Sequence, residues 1–207
     1  MAISYPLDFP TNVTRTLNQI SFRARNIVGI SESSFSLEQE VQETMAEAIA
    51  FEASLPPLSK NDGEEYVGWL LSLTGTRGTF LLGDIANPQP RGTWAGQSPL
   101  VVGASQTGKI LNIDGLAAGA TGKVGDWFGL GTGATSHLHK LVLPFTANGS
   151  GQASLDFWPR LRGIPADNAP LVLSAPKCVW RLDSNDTMWT IDVAMTYGLK
   201  FSGMEAL

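Results

Sequence analysis

Residues 35–55 constrain the fold more than any other segment, because their side chains alternate between apolar and polar. Among the odd-numbered positions eight are apolar, whereas the even-numbered positions hold three alanines and are otherwise polar. A period of two is that of a β-strand, although the Glu, Gln, Ala and Met content of the segment favours a helix. We predict two strands that form a long hairpin, with its turn near residues 42–44. The apolar positions are Phe35, Leu37, Val41, Met45, Ile49, Phe51, Ala53 and Leu55.

One helix is predicted soon after this segment, at about residues 61–73. Asn61 and Glu64 have the spacing of a capping box, and Gly75 stands where a left-handed C-terminal cap is needed. Four bulky apolar side chains between these ends follow the i, i+3, i+4, i+7 spacing of one helix face. They are Tyr66, Trp69, Leu70 and Leu73.

Short strands separated by turn residues are predicted along the rest of the chain. A buried strand bounded by glycines covers residues 78–83, and the Pro- and Gly-rich residues 84–103 indicate a domain boundary. The strands predicted beyond it, at residues 100–102, 109–113, 127–130, 137–143 and 151–159, have a spacing typical of a small barrel or sandwich. Three final strands are predicted at residues 177–182, 188–194 and 197–205. The sequence therefore predicts an all-β chain with one flanking helix.

The composition limits the classes of ligand and compartment. Of the 207 residues, 43% are hydrophobic and only 16% are charged, which leaves weakly charged surface that suits contacts with other subunits. The net charge of −5 and the lack of a Lys/Arg-rich run argue against nucleic-acid binding. Cys178 is the only cysteine, so no intramolecular disulfide can form. No leader and no bilayer-spanning apolar segment is recognised, which predicts folding in the cytoplasm without membrane insertion.

Residues 103–109 resemble the phosphate-binding loop G-x-x-x-x-G-K-[ST] and follow an apolar strand. That loop needs a hydroxyl after its lysine to bind Mg²⁺, and a following helix whose N-terminus faces the phosphates. Ile110 occupies the hydroxyl position, and the residues after it indicate a strand and a turn. A hairpin turn is therefore favoured over nucleotide binding.

His137 and His139 would share one face of a strand and could form a metal-binding pair. No third ligand is recognised near them, so cross-strand packing or a surface position is favoured. Catalysis has no support, since no Gly-x-Ser-x-Gly motif is present and Cys178 lies in an apolar strand. We therefore predict neither enzymatic activity nor a bound metal or cofactor. Trp94, in a predicted loop, is the tryptophan that best suits an exposed sugar-binding platform.

The predicted hairpin is rich in glutamate, and no Lys or Arg occurs between residues 26 and 59. A solvated acidic surface is the simpler interpretation. The alternative is a surface that faces a DNA conduit, where like charge would keep passing phosphates from adhering. The candidate channel-lining residues are Glu38, Glu40, Glu43 and Glu47.

Several segments spread over almost the whole chain are recognisable together. They are RARNIVG (23–29), LPPL (55–58), WLLSLTG (69–75), GTFLLGD (78–84), GDWFGLG (125–131), FWPRLR (157–162), and WTID (189–192) followed by YGLKF (197–201). In this order and spacing they resemble the distal tail proteins of long-tailed bacteriophages, the siphophages. No catalytic motif comes with the resemblance.

The resemblance implies a virion structural protein at the tail tip, assembled as a ring that is usually hexameric. One face of the ring would meet the tail-tube protein and the other the hub or fibre protein, and DNA would pass through the axial channel without specific binding. Residues 1–91 and 170–207 would form a tail-tube-like β-sandwich with the helix and the long hairpin. Residues 92–169 would form an inserted small β-domain on the ring exterior. The alternatives are a tail-tube or tail-terminator subunit of similar fold and, from a different class, a carbohydrate-binding module.

Overall fold

The structure is a computed structural model that describes residues 3–10 and 17–207. It consists mostly of β-strands with one α-helix, which confirms the predicted fold class. Short 3-10 turns at Gly75–Arg77 and Gly133–Thr135 join some of these elements. In chain order the elements are β1 (Leu7–Asp8), β2 (Gln19–Glu32), β3 (Gln39–Ser54), α1 (Lys60–Ser72), β4 (Thr79–Gly83), β5 (Leu100–Val101), β6 (Ile110–Asp114), β7 (Thr121–Gly122), β8 (Trp127–Leu130), β9 (His137–Leu141), β10 (Phe145–Thr146), β11 (Ala153–Trp158), β12 (Leu171–Val172), β13 (Lys177–Leu182), β14 (Trp189–Ile191) and β15 (Tyr197–Glu205).

The first sheet has the strand order β1-β4-β13-β15-β3-β2. β14 pairs with the first residues of β15, and β13 pairs with its last residues. Both strands lie on the same side of β15. β1 runs parallel to β4, and the other pairs are antiparallel. The sheet therefore combines strands from both ends of the chain.

The long hairpin is present, but it consists of β2 and β3, with residues 33–38 as its turn. The predicted turn at residues 42–44 is wrong, because β3 continues through them. There the register passes from the pair Asn26–Glu47 to the pair Val28–Glu43, so that three residues of β3 oppose one of β2. A bulge of this kind absorbs extra residues without reversing the chain. The alternating pattern thus belongs mostly to one long strand rather than to two.

The helix α1 is capped by Ser59 rather than by Asn61. The Ser59 hydroxyl accepts a hydrogen bond from the Asp62 N–H at 3.4 Å and donates one to the Asp62 carboxylate at 3.1 Å. Glu64, the predicted partner of Asn61, instead accepts a hydrogen bond from the Tyr197 hydroxyl on β15. At the other end Gly75 has the predicted left-handed backbone, with φ +64°. The helix was thus predicted at the right place but with the wrong N-terminal cap.

The second sheet has the order β12-β8-β9-β11-β6-β5 and is nearly closed into a barrel, in agreement with the predicted small barrel or sandwich. Its two edges meet where the Val101 N–H donates to Ala169 O and the Leu171 N–H donates to Pro99 O, both at 3.0 Å. β12 therefore belongs to the barrel, and Leu171 is buried in its core. The chain returns to the first sheet at β13, which is later than the predicted return.

The two sheets pack against each other. One apolar core lies between α1 and the first sheet, and it includes Trp127 of β8 and Leu138 of β9 from the barrel. A second core fills the barrel, where Trp94, Phe128 and Phe157 are fully buried. Because Trp127 and Leu138 belong to the first core, the barrel is fixed to the first sheet by side-chain packing as well as by the chain connections.

Candidate interaction surface

The outer half of the β2–β3 hairpin exposes an apolar strip, defined here as Val28, Ile30 and Val41. Directly opposed residues of an antiparallel pair project to the same face, and Ile30 opposes Val41. The strip lies on the same face of β2 as Phe22, which is further from the turn and opposes the buried Phe51. Its three side chains are 48%, 65% and 61% exposed. Beyond the pair Asn26–Glu47, the core-facing side of the hairpin therefore presents these three apolar side chains to solvent.

The other side of the hairpin is mostly polar, although alternation along β2 also places the exposed Ile27 on it. Glu40 opposes Ser31 there, whereas Glu47 and Glu43 oppose Asn26 and Val28 on the side of the apolar strip. The predicted channel-lining glutamates therefore do not share one face. We call this side the polar face; its exposed polar residues are Gln19, Ser21, Arg23, Arg25, Ser31, Glu40, Gln42 and Glu52.

The two remaining predicted lining residues lie near the end of the hairpin. Glu38 is exposed in the turn, where its carboxylate accepts a hydrogen bond from the Ser36 hydroxyl at 3.2 Å. Glu43 is part of β3, but its side chain lies outside the described part of the structure. Glu38 and Glu40 are therefore the predicted residues whose side chains are shown to be accessible.

Glu47 cannot line a channel, because it is only 6% exposed and contacts the barrel. Its carboxylate lies 2.6 Å from Lys109 Nζ and accepts a hydrogen bond from the Arg160 N–H at 2.9 Å. Burial raises the pKa of Glu47, but the Lys109 ammonium and the Arg160 N–H lower it more, and the net pKa is below its ordinary value. Glu47 thus joins β3 to the barrel as a carboxylate.

β2 is an edge strand of the first sheet and is 14 residues long. Edge strands present unpaired backbone N–H and C=O groups that can pair with another chain. At the opposite edge, beside the start of β15, lies the short strand β14. Trp189 and Ile191 of β14 are 38% and 53% exposed, and Val193 in the following turn is fully exposed. Both edges therefore carry exposed apolar side chains.

A second polar contact joins the barrel to the first sheet at Glu205. Its carboxylate accepts a hydrogen bond from Arg162 Nε at 2.9 Å and a second from Arg162 Nη2, and it lies 3.4 Å from His137 Nδ1. Burial raises the pKa of Glu205, but His137 and Arg162 outweigh it and lower the pKa below the ordinary value. The Cys178 thiol is buried beside these groups, and burial raises its pKa.

The two histidines have different environments. His139 is 1% exposed, and its Nδ1–H donates to Pro159 O at 2.7 Å. Burial lowers the pKa of His139 to about 4, so the ring is neutral near pH 7. His139 therefore fits the packing interpretation. His137 instead lies near two possible metal ligands, Cys178 on β13 and Glu205 on β15. No local sequence pattern relates these two strands to β9.

Residues 103–109 form the turn between β5 and β6, as predicted, and no helix follows. Gln106 occupies the turn: its amide donates to Val102 O at 2.8 Å, and its carbonyl oxygen accepts from the Asn112 N–H at 2.7 Å. The Gly103 N–H donates to the Asp167 carboxylate at 2.7 Å. A carboxylate thus stands beside the first glycine of the loop, where it would repel a phosphate.

Trp94 is not an exposed platform for a sugar. It is fully buried in the barrel, and its indole N–H donates to the Asp126 carboxylate at 3.1 Å. Its ring contacts Phe145 edge-on, with 5.0 Å between centroids. The prediction of an exposed Trp94 is wrong because the Pro- and Gly-rich segment around it folds over the barrel core.

No helix in residues 3–10 and 17–207 is long and apolar enough to cross a membrane. No protein-family model matches the chain, and no curated protein matches its sequence.

Proposed function

We propose that this chain is a structural ring subunit at the tip of a siphophage tail, which joins the tail tube to the hub or fibre. The outer half of the β2–β3 hairpin is the observation that carries the proposal. Its apolar strip is about half exposed or more, and an isolated two-stranded hairpin is at best marginally stable in water. A neighbouring subunit that covers the strip would stabilise the hairpin.

The two edges of the first sheet favour a head-to-tail arrangement of copies. β2 offers unpaired backbone groups along one edge, and β14 forms part of the opposite edge. A contact between two different surfaces of the same chain is heterologous, and such contacts generate a closed ring when the rotation between subunits permits closure. Six subunits is the number typical of the proteins that the sequence resembles.

Within this ring we assign the apolar strip to the contact with the neighbouring subunit and the polar face to the aqueous channel. Burial of the strip is favourable because it removes apolar surface from water. Glu38 and Glu40 would then lie along the DNA path near the end of the hairpin. Arg23, Arg25 and Glu52 lie on the same face, further from the turn. The lining therefore carries both signs of charge, and Glu38 and Glu40 are the acidic residues near the hairpin end.

The proposed role is geometric rather than catalytic. The buried titratable groups described above make contacts within the fold: Glu47 joins β3 to the barrel, Asp126 holds the loop with Trp94, and His139 bonds Pro159. The polar and apolar contacts between the sheets would hold the barrel firmly on the outside of the ring, where it could carry other tail-tip proteins.

Negative-stain imaging of the purified chain tests this proposal. Closed rings with an axial hole are the expected result. Long tubes would instead indicate a tail-tube subunit, because such a subunit stacks on its own copies. Particles that remain single at high protein concentration would contradict both roles.

A further inference from the structure

Three possible metal ligands meet where the barrel contacts the first sheet. His137 lies on β9, Cys178 on β13 and Glu205 on β15. A ring nitrogen of His137, Cys178 Sγ and a Glu205 carboxylate oxygen lie within 4.8 Å of one another. We propose that these residues form a binding site for a divalent transition-metal ion such as Zn²⁺. The proposal is independent of the ring function.

One pair of the cluster has the separation of ligands in a zinc site, and the ligand atoms lie within 4.8 Å of one another. Zn²⁺ binds imidazole nitrogen and carboxylate oxygen at about 2.0–2.2 Å and thiolate sulfur at about 2.3 Å, which places tetrahedral ligand atoms roughly 3.3–3.7 Å apart. His137 Nδ1 and Glu205 Oε1 are 3.4 Å apart, so this pair already has the required separation. His137 Nδ1 is buried, and its 3.4 Å contact with Glu205 is too poorly aligned for a hydrogen bond. A metal ion would give this nitrogen a direct ligand bond.

The position of Arg162 is compatible with a metal at Glu205. Arg162 donates to both carboxylate oxygens, and each oxygen has a second lone pair that can bind a metal. Donors that hold a ligating carboxylate in place are a usual feature of metal sites. A thiolate and a carboxylate balance the charge of a divalent ion. A water molecule as fourth ligand would add no charge and release no proton.

Binding must deprotonate the cysteine. Without metal the thiol carries its proton near pH 7, because an ordinary cysteine has a pKa of about 8.5. Formation of the sulfur–metal bond breaks the S–H bond and releases that proton to solvent. A cavity of about 410 Å³ that His137, His139 and Arg162 help to line lies beside the cluster, and an ion would enter from this side. A fourth ligand from solvent could occupy the side of the ion that faces this cavity.

A bound ion would link three strands from the two sheets. β9 belongs to the barrel, whereas β13 and β15 are neighbours in the first sheet. Because an unfolded chain rarely offers a preformed site, metal binding adds to the stability of the folded state. The ion would therefore strengthen the attachment of the barrel to the first sheet.

Titration of the chelator-treated full chain with Co²⁺ and then Zn²⁺ tests the site. We expect one Co²⁺ per chain, near-ultraviolet absorption from a thiolate–cobalt bond, loss of that absorption when Zn²⁺ is added, and an unfolding temperature that rises with Zn²⁺. Calorimetry in two buffers of different ionisation enthalpy should show release of about one proton per ion. Absence of a thiolate–cobalt band in the folded wild type would overturn the proposal.

Variants separate this site from binding elsewhere on the surface. Cys178→Ser should abolish the thiolate–cobalt band. His137→Gln should weaken Zn²⁺ binding by at least the roughly 10- to 100-fold that loss of an outer-shell partner costs. Glu52→Gln, an exposed position on β3, should bind metal as the wild type does. Unchanged affinity in a folded His137→Gln variant would also overturn the proposal, and far-ultraviolet circular dichroism establishes which variants are folded.

Discussion

Glu47 is held by two groups of the barrel, and its neutral variant tests what this contact contributes. The Glu47→Gln substitution keeps the size of the side chain but removes the charge that binds Lys109 and the Arg160 N–H. Hydrogen bonds to charged groups contribute about 2 kcal/mol each. The glutamine amide oxygen can still accept a hydrogen bond from the Arg160 N–H. We therefore expect the free energy of unfolding, measured by urea denaturation, to fall by about 2 kcal/mol, the contribution of one such contact.

Glu52→Gln is the matched control for this measurement. Glu52 lies on the same strand but is exposed on the polar face, where substitutions usually change stability by less than about 0.5 kcal/mol. Equal losses in the two variants would show that the buried contact contributes nothing.

The pH dependence of stability follows from the same carboxylate. The pKa of Glu47 is below its ordinary value of 4.5 in the folded chain, and contacts with Lys123, Arg91 and Trp94 likewise lower the pKa of the buried Asp126. A carboxyl group of this kind stabilises the fold fully above its ordinary pKa, and this contribution is lost as the pH falls through the folded pKa. Stability should therefore fall below about pH 4.5, and less steeply in Glu47→Gln. An equal dependence of the unfolding free energy on pH in the wild type and in Glu47→Gln would contradict this account.

The roles of Glu47 and Glu205 could not be predicted from their neighbours in the sequence. Alternation places Glu47 on the face of β3 that includes Ile49 and Phe51, and this much is visible in the sequence. Its partners, Lys109 and Arg160, lie on the barrel, and only the packing of the two sheets brings them to it. The same packing brings His137 to Glu205, which is why no third ligand was recognised.

At the scale of the elements, the start of α1 can be tested by two single substitutions. Ser59 makes the capping contacts with Asp62, whereas Asn61 is an exposed residue of the first turn. Loss of a serine N-cap costs about 1 kcal/mol. Ser59→Ala should therefore lower the unfolding free energy by about 1 kcal/mol, and Asn61→Ala should leave it unchanged or slightly higher, since alanine favours helix interiors. Thermal unfolding followed by circular dichroism measures the stability of both variants. A larger loss of stability in Asn61→Ala than in Ser59→Ala would show that Asn61 is the cap, as predicted from the sequence.

The apolar strip can be tested as an assembly surface. Replacement of Val28, Ile30 and Val41 by serine removes exposed apolar surface without creating a cavity in either core. We expect the triple variant to fold but to elute as single chains in size-exclusion chromatography. Ser31→Ala with Gln42→Ala, on the polar face, is the control and should still assemble. Full assembly of the triple variant would show that the strip does not contact a neighbouring subunit.

The hairpin shows why an element is easier to predict than its ends. Alternation over residues 35–55 correctly indicated strands, because a half-buried strand needs a period of two. The turn was misplaced because the pattern continues through the bulge opposite Ile27 and because the partner strand, β2, lies before the segment. Local alternation does not distinguish a bulge from a turn.

At the scale of the whole molecule, the barrel and the first sheet are separate in strand pairing but joined by side chains. Gly- and Pro-rich turns made the short barrel strands visible in the sequence, since such residues end strands. The strand order was not visible, because it depends on which distant edges pair. Leu171 illustrates this: it lies near β13 in sequence, yet it pairs with Leu130 of β8.

Native mass spectrometry of the purified chain tests ring assembly most directly. The expected spectrum contains one discrete closed oligomer, six times the 22.1 kDa mass of the chain, with no series of larger multiples. A spectrum that contains only the 22.1 kDa monomer at concentrations where rings should form would contradict the proposed function.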